Sequence, residues 1–473
     1  MPKALPESQT EKRLRLLEKL FYIYLFVNPF IDMINGFILN TFSVSFGISL
    51  ILRMALLALM GLYILLRRDW RTVLLLIPVG LSAVLSLIPQ AIYWELHLFT
   101  EAQYIARFLY NLAALVVFHY VLQEKSHNKK DVFLELLDRL FTWCGAWVSL
   151  SLLVPLVLKL GASAYKSALG GIYGFKGFYF AGNEATAILI TIFPMVLCRA
   201  LKLDIQKPVT WKTIGLLVVP ALMVNSLLII GTKTAFAGLF LAVGCIGLYV
   251  LVSAIRKKTL QQLFVFLIVI GMACSVFFVL DSMSNIKQMI KDSQNAIGNT
   301  ITNDGSDIYT DEVLEKLEEW DQMAVTARDT FLGRLLSGRL GFLGYTFDEF
   351  KHALPLSALV GIGRGSRPRT IEMDFFEIFM YYGLFGAFFL LWPFWQRGSA
   401  VIKKLLRDWN FTGFCGLVAC ITTLGYAFMA GHVLFTVTGG WYLILVMIYL
   451  GRLYDIAPPS LPSWISRWFK LPR

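Results

Sequence analysis

Residues 214–258 read IGLLVVPALMVNSLLII, then GTKT, then AFAGLFLAVGCIGLYVLVSAIRKK: two apolar blocks, a four-residue turn and a basic stop. Each block is close to the ~20 residues a helix needs to cross ~30 Å of hydrocarbon. Lipid offers no partner to a free backbone N–H or C=O, so such blocks fold as helices. They are too long and too continuous for the strands of a membrane barrel. The pair therefore reads as a transmembrane hairpin with its turn, Gly231-Thr232-Lys233-Thr234, at one membrane surface.

The same pattern recurs outward in both directions. Of 473 residues, 57% are hydrophobic and 16% charged, whereas a soluble domain is nearer ~25% charged. Spans are expected at 20–40, 44–66, 72–92, 104–123, 137–158, 183–201, 210–230, 235–254, 261–281, 375–396, 411–431 and 438–452, the last being short. The fold class is an all-α membrane protein, a polytopic bundle of about twelve helices with one large, partly helical extracytoplasmic loop. The chain divides into a basic N-terminus (1–19), nine helices (20–281), the large loop (282–372), three more helices (373–452) and a tail (453–473). The six cysteines all fall within apolar blocks and form no CxxC pair, so they read as packing residues.

Charge assigns the sides. The net charge of +12 is concentrated in every second loop, including Arg67, Arg68 and Arg71, then Lys125, Lys129 and Lys130, then Arg256, Lys257 and Lys258, then Arg397, Lys403 and Lys404. Short loops of the other set, 41–43, 93–103 and 432–437, are nearly free of Lys and Arg. That alternation is a topology signal rather than a nucleic-acid footprint, and it puts both termini in the cytoplasm. Segment 159–182, the 231–234 turn and the long loop then lie outside. Within the loop, 311–326 has helical apolar spacing, its acidic residues being either a solvated face or a substrate contact. Residues 331–360 suit either an interfacial helix or packing over the bundle.

No HExxH, Walker loop, GxSxG or Cys/His cluster is present, and the five histidines are scattered. No metal or cofactor is expected. The candidates for chemistry are outer-side charges next to glycines. Lys233 suits a phosphate, although a lysine snorkelling to the headgroups explains it equally. Arg339 follows Ser337-Gly338. Gly361-Ile362-Gly363-Arg364-Gly365 precedes Arg367 and Arg369, and arginine grips phosphate with a bidentate fork. Glu372 and Asp374 come next, either as a general base or as carboxylates favoured by a helix N-terminus. Asp32, Arg53 and Arg107 fall within spans, where an ionisable group is a functional candidate by default; mutual pairing of Asp32 with Arg53 or Arg107 is the alternative.

Four motifs in this order resemble the bacterial O-antigen ligase and O-antigen polymerase superfamily. They are Phe180-Ala181-Gly182-Asn183-Glu184-Ala185, the Gly231–Thr234 turn, Ser337-Gly338-Arg339, and the series Gly361-Ile362-Gly363, Glu372-Met373-Asp374, Gly383-Leu384-Phe385-Gly386. Together they cover about 175–390, and the first half of the chain shows no matching motif. The resemblance implies a multi-pass protein of the bacterial plasma membrane, a glycosyltransferase that uses an undecaprenyl-diphosphate-linked oligosaccharide at the outer face of that membrane, without nucleotide sugar or metal. Membrane lipid and other polysaccharide-assembly proteins are its implied partners. It adds Asn183 and Glu184 to the candidates, and it casts Arg339, Lys233 and Arg364 as cations for the departing diphosphate. A carboxylate or histidine would take the acceptor proton.

Two departures concern the subtype. Glu372 stands where the ligases carry histidine, and Lys233 where arginine is common. Both favour a polymerase-like or otherwise divergent member, and the main expectation is a polymerase that joins repeat units of a surface polysaccharide. The other readings are a ligase that transfers finished glycan, a twelve-span transporter or flippase of lipid-linked oligosaccharide, and a non-catalytic assembly protein. Against the transporter, the two halves share no pattern and the loops are lopsided.

Overall fold

A computed structural model describes residues 9–42, 47–166, 172–203, 210–257, 260–284, 339–365 and 370–462. Eleven helices among them are long and apolar enough to cross a membrane. In chain order the first five are α1 (Gln9–Phe42), α2 (Ile48–Leu66), α3 (Trp70–Tyr93), α4 (Leu98–Lys125) and α5 (Lys130–Val157). An antiparallel hairpin of β1 (Ala162–Lys166) and β2 (Ile172–Gly177) follows. Then come α6 (Gly182–Leu201), α7 (Trp211–Ile230), α8 (Lys233–Lys257) and α9 (Gln261–Ser284). Two shorter helices, α10 (Arg339–His352) and α11 (Leu356–Val360), precede α12 (Asp374–Arg407) and α13 (Phe411–Ala430). The chain's last span, α14 (Val437–Leu453), has 17 residues and is the short twelfth helix expected from the sequence. The helix expected over 311–326, most of the large loop, Ser337-Gly338, Arg367 and Arg369 lie outside the described residues.

Helix starts follow local chemistry. The Asp69 carboxylate accepts from the Thr72 N–H at 3.3 Å, Thr210 Oγ1 from Thr213 N–H at 3.2 Å, and Asn410 Oδ1 from Gly413 N–H at 2.8 Å. Each satisfies a donor that has no partner within its own helix.

The bundle inverts the soluble rule. The most apolar span, α9, is only 22% buried, whereas α6, which carries Thr186 and Thr191, is 89% buried. Lipid solvates leucine as well as a core does, so polar helices go to the centre and apolar ones to the rim. Helices α4, α6 and α14 form the middle, and every residue from Val437 to Gly451 is buried. Its shortness is no handicap there, because other protein covers both its ends.

One expectation is adjusted, and one alternative is favoured. Arg397, grouped above with a basic loop, lies inside α12, which runs on to Arg407. It is buried against Gly451, and its guanidinium donates to the carbonyls of Met447 (2.9 Å) and Ala457 (3.2 Å). It therefore ties α12 to the end of α14. The stretch 339–352 packs over the bundle, with Phe350 against Phe379 of α12 at 5.4 Å between rings.

Candidate active site

The glycines that end the large loop are explained by a backbone crossing. Helix α12 is broken at Gly383, which has φ 61°. The loop strand 361–363 lies against the break: Ile362 N–H donates to the Met380 carbonyl and Gly363 N–H to that of Tyr381, both at 2.9 Å. A Cβ on Gly361 (φ 77°) would sit 2.2 Å from the Tyr381 carbonyl, and one on Gly383 would sit 2.5 Å from Gly361 N. Only glycine permits that approach and that φ at both places. Beyond the crossing, Glu101 in the first turn of α4 collects the loop. Its Oε1 accepts from the Gly365 N–H and the Gln90 amide, each at 2.9 Å, and from the Arg364 N–H. Arg364 is thereby held by its own backbone while its side chain remains partly exposed.

The chain next reaches Glu372. Its carboxylate Oε2 is 3.1 Å from the Arg339 guanidinium and 3.9 Å from His432 Nε2. Arg339 opens α10, and His432 sits in the short connection between α13 and α14. Glu372 and His432 both have left-handed backbones, φ 58° and 61°. In non-glycine residues such strain is of order 1–3 kcal/mol each and gathers at functional sites. The surroundings impose it. The Glu372 N–H donates to Glu377 Oε1 at 2.8 Å, and the other Glu377 oxygen accepts from the Tyr104 hydroxyl. On the opposite side Gly431 lies so close that a Cβ would be 2.6 Å from the Glu372 carbonyl carbon.

The His432 connection is fixed by two buried side chains. Asp374 Oδ2 accepts from the N–H groups of Val433 (2.9 Å) and Leu434 (2.7 Å). Asn111 of α4 donates to the carbonyls of Leu434 and Thr436 at 3.0 and 3.2 Å. Asp374 is 1% exposed and Glu377 2%, whereas the side chains of Arg339, Glu372 and His432 are 16%, 25% and 30% exposed. Asp374, a candidate base in the sequence, is buried and its carboxylate is taken up by the two N–H groups that follow His432. Solvent reaches the Glu372 triad but not the buried pair.

Burial alone would lower the His432 pKa. The Glu372 carboxylate and, less strongly, Asp374 outweigh it, so the imidazole is held above its ordinary value.

The charges inside spans converge on the same end of the bundle. Asp32 and Arg53 form an ion pair, as the pairing alternative expected, and Thr438 in the first turn of α14 joins both, accepting from Arg53 at 3.0 Å and donating to Asp32 at 3.1 Å. Glu184, in the first turn of α6, is within electrostatic reach of Asp32, Arg53 and His432. Arg107 is within reach of Arg53, Arg364 and Glu184. The Asn183 carbonyl accepts from the Tyr426 hydroxyl at 3.1 Å, tying α6 to α13. In the Gly231–Thr234 turn, Gly231 (φ 72°) closes α7, and Thr232 Oγ1 caps α8 by accepting from Ala235 N–H at 3.1 Å. Capping thus accounts for two residues of that turn, and partly buried Lys233 keeps its candidacy as a phosphate ligand.

Sequence reasoning passed over His432, Glu377, Glu101 and Tyr104. For His432 a signal existed: it is a lone titratable residue in a short loop whose charge pattern puts it on the same side as Glu372.

No curated protein sequence matches this chain. A family model described as O-antigen ligase like membrane protein matches residues 15–455. That match spans both the motif-bearing part and the first half, where no motif was legible, and the chain belongs to the O-antigen ligase like membrane proteins.

Proposed function

We propose that this protein is a glycosyltransferase that joins glycan repeat units carried on undecaprenyl diphosphate, at the outer face of a bacterial plasma membrane. The observation that carries the reading is the partly exposed Arg339–Glu372 pair at 3.1 Å, connected through His432 and Glu184 to the charges of Arg53 and Arg107. A sugar–diphosphate bond needs a base on one side and fixed positive charge on the other, and this end of the bundle holds both.

In this mechanism the acceptor hydroxyl oxygen attacks the anomeric carbon and forms the new glycosidic bond. The bond from that carbon to the diphosphate oxygen breaks, and the electron pair leaves with the lipid diphosphate. The hydroxyl proton passes to Glu372. As that carboxylate loses its charge, the Arg339 guanidinium is freed to stabilise the charge growing on the leaving group. Arg364 and Lys233, with Arg367 and Arg369, are the proposed diphosphate ligands; Asn183 and Glu184 border the site. The Asp32–Arg53 pair supports it from within the bundle.

The orientation is part of the proposal and rests on the alternation of basic loops, which puts both termini in the cytoplasm. A cysteine at position 310 should label from outside and one at 258 should not. Reconstitution with a synthetic undecaprenyl-diphosphate oligosaccharide tests the chemistry. A polymerase makes a ladder of longer lipid-linked glycans, and a ligase moves one glycan to a different acceptor. Vesicles that translocate the lipid without forming a glycosidic bond would overturn the enzyme reading.

A further inference from the structure

A second polar feature lies at the opposite end of the bundle. Arg199 is in the last turn of α6 and Glu184 in its first, so the two ends are ~22 Å apart along the helix. There a groove of about 520 Å³ runs between α5 and α7. Its walls repeat one spacing. Arg139, Thr142, Trp143 and Ala146 line one side, and Lys212, Gly215, Leu216 and Val219 the other, each set at i, i+3, i+4 and i+7 on a single helical face. Arg199 completes the lining.

The groove is polar at one end and apolar at the other. Its mouth holds Arg139, Arg199 and Lys212, and Glu135 offsets part of that charge by pairing with Arg139 at 2.8 Å and Arg199 at 3.0 Å. Arg199 also donates to Thr142 Oγ1 at 3.0 Å, which fixes its guanidinium in the floor. Toward the middle of the bundle the lining becomes Ala146, Leu216 and Val219. The groove has a stop: the helices meet where a Cβ on Gly145 would be 2.7 Å from Met223 Sδ. At Gly215 a Cβ would touch nothing within 4 Å, so the absent side chain leaves the space open. Trp143, 42% exposed, stands at the rim, where an indole suits the membrane–water interface.

We propose that this groove binds one anionic phospholipid of the leaflet opposite the active site, with its phosphate among Arg139, Arg199 and Lys212 and an acyl chain along Leu216 and Val219. Free phosphate would leave the apolar half unused, and a zwitterionic lipid would place an ammonium among three cations. The inference does not depend on the reaction proposed above.

The test is native mass spectrometry of the full chain from nanodiscs holding phosphatidylglycerol and phosphatidylcholine in equal amounts. One retained phosphatidylglycerol is expected. Lys212→Glu, on an exposed residue, should lower its retention on the order of tenfold. Gly215→Trp should abolish retention by filling the space, with the melting temperature unchanged. Equal retention of phosphatidylcholine, displacement by millimolar inorganic phosphate, or undiminished phosphatidylglycerol in both variants would each overturn the proposal.

Discussion

Glu372 and His432 face one another at 3.9 Å, each on a left-handed backbone, and each is held there by a buried carboxylate from the first turn of α12. Glu377 grips the Glu372 N–H, and Asp374 grips the N–H groups that follow His432. One helix start thus sets the spacing of two side chains that come from either side of it in sequence. The arrangement is rigid where it is buried and open where it meets solvent, as a preorganised site requires.

That pairing predicts a pH signature. The His432 pKa is raised, so the imidazole contributes stability that is fully present below the ordinary value of ~6.5 and is lost as pH rises through the higher folded value. The melting temperature in detergent should therefore fall across that window in the wild type, and His432→Gln should flatten the fall. The same variant should remove the alkaline limb of the activity profile. An unchanged limb would mean that His432 does not govern the charge beside Glu372.

Removing the pair's members should separate base from cation. Glu372→Gln keeps the shape and removes the proton acceptor, with an expected loss of about 10²–10⁴ in turnover rate. Arg339→Ala should lose about 10²–10³, and Arg339→Lys should recover only part, because an ammonium lacks the fork. Single-turnover assays with lipid-linked donor measure both. Wild-type rates in Glu372→Gln would sink the base assignment.

The fold was legible because hydropathy and loop charge are local properties that survive without an alignment. Twelve apolar blocks became twelve helices, and even the shortness of α14 was visible. Arg339 and Glu372 were separate candidates in the sequence, which did not show that they meet, and the two lie 3.1 Å apart. What stayed hidden depends on distant contacts. Nothing near His432 in sequence announces Glu372, and nothing near Glu101 announces the Arg364 backbone it holds. Asp374 and Glu372 look alike in sequence, and only burial separates the enclosed carboxylate from the reachable one.

The crossing of Gly361 over Gly383 should be intolerant of any side chain. Gly361→Ala places a Cβ 2.2 Å from the Tyr381 carbonyl at φ 77° and should destabilise by roughly 2–3 kcal/mol or more. Gly244→Ala in α8 is the control: a Cβ there meets nothing within 4 Å, and the helix should gain up to about 1 kcal/mol. Thermal unfolding in one detergent compares them. Equal midpoints for the two variants would show that the loop can leave the break in α12 without consequence.

The Asp32–Arg53 pair distinguishes support from direct action. Asp32 is buried and Arg53 largely so, and Thr438 bonds each. Asp32→Asn alone leaves a guanidinium in a low-dielectric interior and should destabilise by about 3–5 kcal/mol. Arg53→Gln alone strands the carboxylate with a similar effect. The double variant Asp32→Asn/Arg53→Gln removes both charges, so it should be more stable than either single variant. If the pair only supports the bundle, the double variant should also regain most of its glycan-joining activity. A double variant that is stable yet inactive would instead place Arg53 among the groups that meet the diphosphate, next to Arg107 and Arg364, whose charges already reach one another.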